Sequence, residues 1–235
     1  MIIGNYIACI LVGYLVGSIP FGYLVARRSA RVDVRQYGSG KTGATNVLRT
    51  AGLKSAALVV VADLVKGVLA VVLAGLIMGN TYLAVGDFGF GLPLGQVLAA
   101  LGAVAGHNWP VFLKFRGGRG VATFFGGLFA LLPVAAVFGG EILLIGAVTT
   151  RFASLGSIAG VVGTYAIVVP LTVINGWPLE YLVYALIGAL VIVVMHRSNI
   201  ARLIAGKERR LGEKAEQLGE KAEQLEPSPS EESGG

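Results

Sequence analysis

Cysteine is all but missing from this 235-residue chain. Cys9, alone and inside an apolar run, excludes a disulfide framework and any Cys-based metal site, and reads as a small core residue. Charge is scarce as well. Only 14% of residues are charged against 55% hydrophobic, where soluble domains carry about a quarter charged, so the composition argues for a membrane protein. Basic residues are absent from the segments that hold Asp87, Glu141 and Glu180, which are expected to form loops on one side of the bilayer. None precedes the first apolar run either. That run is too long for a signal h-region and lacks small-residue cleavage chemistry before Arg27, so a retained helix is expected.

What is present is a series of apolar runs. Residues 2 to 26, 55 to 79, 155 to 174 and 178 to 195 reach the roughly 20 residues that a helix needs to cross hydrocarbon. Residues 93 to 106, 120 to 133 and 134 to 150 are shorter. Together they predict an all-α, polytopic membrane protein of seven transmembrane helices. Of the nineteen Lys and Arg, seven lie in residues 27 to 54, three in 107 to 119, one at Arg151 and seven in 196 to 235, leaving Lys66. Because such residues are retained in the cytoplasm, seven spans put the N-terminus outside and the C-terminus in the cytoplasm, with every basic segment on one face. The net charge of +6 is then a cytoplasmic patch.

Anchoring of topology and contact with anionic headgroups, worth about 1 kcal/mol per charge, would explain that patch alone. They do not explain the Gly, Ser, Thr and Asn that recur beside the charges. The loop VRQYGSGKTGATNVLRTAG, residues 34 to 52, has Gly38, Gly40 and Gly43 to let consecutive N–H groups point at one anion. Ser39, Thr42, Thr45 and Asn46 add side-chain donors, and Lys41 a charge. GKT does not make a Walker A loop, since Arg35 stands where that pattern needs Gly and no α/β domain precedes it. TNVLRT is expected to start a short interfacial helix capped by Thr45 or Thr42, with Arg49 near the anion.

The second loop lies in AGHNWPVFLKFRGGRGVATFFGG, residues 105 to 127. Gly117, Gly118 and Gly120 allow close backbone approach to an oxyanion, and Arg119 can grip two oxygens at once, with Lys114 nearby. Pro110 ends the preceding helix, and the loop is expected to dip into an internal cavity. In the third segment, VMHRSNIARLIAGKERRLGEK, His196, Asn199 and Arg202 recur at steps of three and would share a face of a continuing helix. Asp63 and Lys66, three apart inside a span, read either as a buried structural pair or as support for the phosphate site. Glycines such as Gly13, Gly17, Gly22, Gly67, Gly156 and Gly160 permit close helix approach. Residues 1–206 are expected to form the membrane domain and 207–235 a charged helical or disordered cytoplasmic tail. GEKAEQL occurs there twice, with Leu211, Leu218 and Leu225 in a thin heptad seam.

The segments GSGKTGATNVLR, GHNWPVFLKFRGGRGVATFFG and HRSNIARLIAGKE, with GSIPFGYL in the first helix, resemble the bacterial acyl-phosphate-dependent glycerol-3-phosphate acyltransferases of the PlsY type. The likeness runs in order from about residue 13 to 210. It implies an integral enzyme of the inner cell membrane with its site on the cytoplasmic face and no cofactor or metal. Such an enzyme moves an acyl group from acyl phosphate to the 1-hydroxyl of sn-glycerol 3-phosphate, giving 1-acylglycerol 3-phosphate and phosphate at the start of phospholipid synthesis. By motif position, Ser39, Arg49, His196 and Asn199 would be the catalytic residues. Gly117, Gly118, Gly120 and Arg119 would bind glycerol 3-phosphate and Glu208 would support the structure, while loop composition adds Gly38, Gly40, Lys41, Thr42, Asn46 and Lys114 as phosphate ligands and the mid-span pair Asp63 and Lys66 as structural support. Membrane lipid is an expected partner, nucleic acid is not, and a monomer is expected. Lys41 and Arg119 depart from the commoner Asn and Lys of the family pattern without removing a donor. His196 or the departing phosphate would take the hydroxyl proton. The rival readings are a transporter for phosphate-bearing solutes and a non-catalytic lipid-binding protein.

Overall fold

The computed structural model describes residues 2–85 and 88–215. Asp87 and the second GEKAEQL heptad with Leu218 and Leu225 lie outside the described residues. The helices are α1 (Ile2–Ser18), α2 (Phe21–Ser29), α3 (Ala44–Met78), α4 (Leu92–Asn108), α5 (Val121–Leu131), α6 (Pro133–Thr150), α7 (Ala153–Asn175), α8 (Leu179–Met195) and α9 (Arg197–Ile204). Two short strands, β1 (Leu83–Val85) and β2 (Phe88–Phe90), pair antiparallel between α3 and α4, with Leu83 opposite Phe90. They are a small departure from the all-α expectation.

By length and composition, Ile2–Ser29, Ala44–Met78, Pro133–Thr150 and Ala153–Asn175 can each cross a bilayer. The pair α8 and α9, bent by 59°, raises this to five. At 1.5 Å per residue, the 17 residues of α4 extend about 26 Å and the 11 of α5 about 16 Å. Their apolar stretches are thus short beside a hydrocarbon core of roughly 30 Å.

Three expectations need correction. The first apolar run is not one helix: it breaks at Ile19–Pro20 between α1 and α2, because proline has no N–H to continue the ladder. The third segment does not continue α8, since the chain turns at His196 before α9 begins. Glu141 is not in a loop but in the interior of α6, on an exposed position.

Small residues set the spacing of the bundle. A methyl group on Gly13 or Gly17 of α1 would collide with the backbone of Ala99 or Ala103 in α4, and one on Gly102 or Gly106 with that of Ile10 or Tyr14. Glycine therefore stands on both faces of this contact, which is how helices approach closely where lipid gives no hydrophobic drive for association. The same device joins α3 to α5, where a Cβ on Gly67 would meet Thr123 and Gly126, and one on Gly126 would meet Leu64. The main core lies among α4, α5, α7 and α8, around Phe124, Leu128, Tyr184 and Ile192. Phe124 stacks on Tyr184 at 5.1 Å, and the Tyr184 hydroxyl donates to the Phe124 carbonyl at 2.8 Å, satisfying a buried polar atom. This packing fixes the direction of α5 and hence where its N-terminus points.

Candidate active site

The loop before α3 is built around one side chain. Asn46, 2% exposed, directs Nδ2 at the carbonyls of Val34 (2.9 Å), Tyr37 (3.0 Å) and Lys41 (2.9 Å), while its Oδ1 accepts from the Ser39 N–H at 3.2 Å. Gly38 and Gly40 take the left-handed conformations that this tight path needs, at φ +55° and +65°. Asn46 thus shapes the loop while also lining the cavity described below. The α3 cap is a correction. Gly43 holds the N-cap position with no side-chain hydrogen bond, so neither Thr42 nor Thr45 caps the helix.

The second loop also departs from the cradle expected of it. The Gly117 N–H donates to the Asn108 carbonyl (3.2 Å) and the Gly118 N–H to the His107 carbonyl (3.0 Å). A Cβ on Gly118 would strike the His107 ring. These glycines therefore serve close packing against the end of α4, and their N–H groups are already used. Gly120, at φ +79°, instead turns the chain into α5. Lys114 is exposed outside the cavity described below, and Thr42 lines a separate small cleft beside Asp63, Lys66 and His107.

That cleft encloses a buried ionic cluster. Lys66 Nζ lies 2.8 Å from Asp63 Oδ1 and 3.2 Å from His107 Nδ1, and donates to the carbonyls of Gly17 (3.2 Å) and Ile19 (2.9 Å). The pair read from the sequence is therefore real, and it does more than neutralise itself. Lys66 satisfies carbonyls released where the first run breaks, and through His107 the cluster abuts the Gly117–Gly118 turn. His107 went unassigned in the sequence. The signal was present in Lys66, a mid-span cation with more donors than one carboxylate can fill.

The remaining motif residues meet in one cavity of about 710 Å³. Ser39, Lys41, Arg49, Arg119, Gly120, His196, Asn199 and Glu208 line its polar end. Two helix N-termini open on it, α3 at Gly43–Thr45 and α5 at Gly120–Ala122, and the first N–H groups of a helix lack partners within it. Beyond them the lining becomes apolar. Leu53, Ala57, Val60 and Leu64 of α3 face Val137, Leu144 and Val148 of α6 over Phe125 and Phe129 of α5. On α3 and α6 these positions fall at three- and four-residue steps, so each helix gives one stripe to the groove.

Charge in the polar end is lopsided. Glu208 is saturated: its Oε1 accepts from Ser154 Oγ (2.8 Å) and Asn199 Nδ2 (2.6 Å), and its Oε2 from Arg202 Nε (2.8 Å). Burial works to raise its pKa, but these three donors outweigh it and hold the carboxyl below its usual 4.5. Lys41 is pushed down by burial and by the nearby Arg119 and Arg197. Arg119 is pushed down to about 10, chiefly by burial, with Arg202, Arg49 and Arg209 adding to the shift and Glu208 opposing it. The Nε atoms of Arg49 and Arg119 and Oδ1 of Asn199 are buried without partners among the described residues. Buried donors left unsatisfied are costly, so this wall is suited to an anionic ligand with many oxygens.

His196 sits 2% exposed just beyond α8, its Nδ1–H donating to the Ile192 carbonyl at 2.8 Å. That bond assigns the proton to Nδ1 and leaves Nε2 as an acceptor. Burial first and Arg119 second push its pKa down to about 4, so the ring is neutral at pH 7.

The family model for glycerol-3-phosphate acyltransferase matches residues 7–206. The chain belongs to the glycerol-3-phosphate acyltransferase family. It is 63% identical over 214 residues to "Glycerol-3-phosphate acyltransferase 3" of Dehalococcoides mccartyi strain 195, covering 91% of this chain and 99% of the relative. It is 42% identical over 201 residues to "Glycerol-3-phosphate acyltransferase" of Halalkalibacterium halodurans, covering 86% and 93%. Among solved structures, the glycerol 3-phosphate form of PlsY (YgiH), an integral membrane glycerol 3-phosphate acyltransferase, aligns with TM-score 0.75 and 34% identity over 88% of this chain and 96% of that one. The lysophosphatidic acid form of the same enzyme aligns with TM-score 0.73. Family membership agrees with the sequence resemblance and with a membrane-embedded acyltransferase fold.

Proposed function

We propose that this chain transfers an acyl group from acyl phosphate to the 1-hydroxyl of sn-glycerol 3-phosphate, releasing 1-acylglycerol 3-phosphate and inorganic phosphate. The observation that carries this reading is the single cavity whose cationic end opens into an apolar groove between α3 and α6. A soluble phosphate ester needs only the first part and an acyl phosphate needs both. The fold reading that accompanies it keeps seven spans by counting α4 and α5, with the N-terminus outside, the site on the cytoplasmic face of the inner cell membrane, and a monomer as the working unit.

In the reaction, the glycerol 1-oxygen forms a C–O bond to the acyl carbonyl carbon as the anhydride C–O bond to phosphorus breaks. Acyl phosphate is already activated, so positioning does most of the work. Arg49, Arg119 and Lys41, with the N-termini of α3 and α5, bind the two phosphates. The Ser39 hydroxyl, which lines the cavity, donates to the carbonyl oxygen as charge develops there. Ser39 has no hydrogen bond to a base among the described residues, which speaks against an acyl-serine intermediate.

His196 is better suited to accept a hydrogen bond from the glycerol than to remove its proton. A ring held at about 4 is a weaker base than the departing inorganic phosphate. The proton therefore leaves with phosphate. Turnover of His196→Asn and His196→Ala separates the roles: an orienting acceptor predicts partial activity with Asn and about a hundredfold loss with Ala, whereas a true base predicts equal loss in both. The reaction itself is tested with purified protein in lipid given glycerol 3-phosphate and either acyl phosphate or an acyl thioester. Ester formation from the thioester alone would overturn the donor assignment.

A further inference from the structure

We propose that Arg209, which lies outside the three motifs, is a further phosphate ligand, and that the phosphate it binds is that of glycerol 3-phosphate. The inference rests on the acyltransfer reading above. After α9 the chain turns at Gly206 (φ +66°) and runs to Ala215 as an irregular strap whose Glu208, Arg209 and Leu211 line the cavity. Sequence reading assigned residues from 207 onward to a solvated tail. In the structure the strap is tied down at both ends. The Leu211 N–H donates to the Arg151 carbonyl (2.7 Å) and the Ala215 N–H to the Arg49 carbonyl (3.3 Å), while the Arg49 guanidinium reaches the carbonyls of Arg209 (3.3 Å) and Arg210 (3.2 Å). Glu208 anchors its middle on Ser154, Asn199 and Arg202.

All these ties use backbone groups or Glu208. The Arg209 side chain takes part in none of them, and it has no hydrogen bond or ion pair among the described residues. Yet Arg209 is half-buried and lines the cavity, whereas Lys207 on the same strap is exposed and does not. The fold holds this backbone firmly and leaves Arg209 lining the cavity with its side chain uncommitted among the described residues.

Charge balance gives that side chain a purpose. Five cations line the cavity: Lys41, Arg49, Arg119, Arg202 and Arg209. Of the carboxylates, Glu208 is bound to Arg202 and Asp63 to Lys66, while Glu141 lies away among the apolar positions of α6. Four cations remain, and two phosphates carry up to about two negative charges each. Without Arg209, two bound phosphates would exceed the cations that face them. Position then assigns the ligand. The acyl donor's headgroup must stay at the top of the groove that holds its tail, near Arg119 and Val121, whereas glycerol 3-phosphate arrives from water past the strap. Arg209 stands on the strap beside Arg49, whose guanidinium reaches the Arg209 carbonyl.

The test is steady-state kinetics of Arg209→Ala, Arg209→Lys and Lys207→Ala, varying each substrate at saturating levels of the other, with glycerol 3-phosphate binding measured by calorimetry on the same samples. Arg209→Ala is expected to raise KM and Kd for glycerol 3-phosphate by about tenfold, with kcat within about twofold and KM for acyl phosphate unchanged. Arg209→Lys should recover most of the loss and Lys207→Ala should match the parent. A merely structural strap would move kcat and thermal stability together instead. Arg209→Ala behaving like Lys207→Ala, or raising KM for acyl phosphate instead, would overturn the proposal. A parent protein that binds glycerol 3-phosphate but forms no ester would sink the acyltransfer reading, while calorimetry still decides the role of Arg209.

Discussion

At the scale of single residues, the site is governed by cations held closer together and deeper than water would favour. Arg119 is the clearest case, lowered to about 10 by burial and its arginine neighbours. If Arg119 binds phosphate as proposed, its protonated form is the one required, so affinity for glycerol 3-phosphate should weaken as pH rises toward 10. Arg119→Lys puts an ammonium of ordinary pKa about 10.4 into the same surroundings, and the loss should then begin at lower pH. Calorimetric titrations between pH 7 and 10 check this; identical pH profiles would mean that Arg119 does not touch the phosphate. The buried cluster makes a different prediction. Asp63→Asn leaves Lys66 uncompensated and should cost about 3–5 kcal/mol, whereas the double change Asp63→Leu with Lys66→Met should cost markedly less. Unfolding in detergent measures both.

At the scale of elements, two devices position these residues: helix contacts set by glycine and a strap held by backbone bonds and by the carboxylate of Glu208. A methyl at Gly17 must push α1 away from the Ala103 backbone, so Gly17→Ala should destabilise the α1–α4 contact by about 1–3 kcal/mol. The strap has a pH signature. Because the folded Glu208 carboxyl titrates below its usual 4.5, its stabilising contribution is complete above that value and disappears as pH falls through the lower native one. Amide exchange in residues 205–215 should therefore be protected at pH 7 and lose protection as pH is lowered through and below 4.5. Exchange at the same corrected rate across that range would show that Glu208 does not hold the strap.

The same elements show what a sequence discloses. The long apolar runs are legible as helices because hydrophobicity is a property of local composition. The bend at His196 and the position of Glu141 inside α6 are not, since both depend on how neighbouring helices end. Gly117 and Gly118 looked like an anion cradle, but a glycine needed for close packing has the same letter as one needed for a ligand. The strap was read as solvated tail because its attachments are backbone bonds to residues about 60 to 170 positions away, such as Arg151 and Arg49. Ser39, Arg49, Arg119, His196 and Asn199 were all singled out in advance and do line one cavity.

At the scale of the whole molecule, the arrangement joins two solvents. The cationic end of the cavity collects groups from four separate stretches of chain, and the apolar groove between α3 and α6 continues from it. An amphiphilic donor can then present its headgroup without leaving the bilayer, while the acceptor comes from water. This geometry requires both substrates to be bound together. Rapid-quench measurement of phosphate release from acyl phosphate, with and without glycerol 3-phosphate, tests that requirement most directly. Simultaneous occupancy predicts no phosphate burst until the acceptor is present, and intersecting double-reciprocal plots. A stoichiometric burst from acyl phosphate alone, with parallel plots, would show that the acyl group is first parked on the protein and would contradict a shared site.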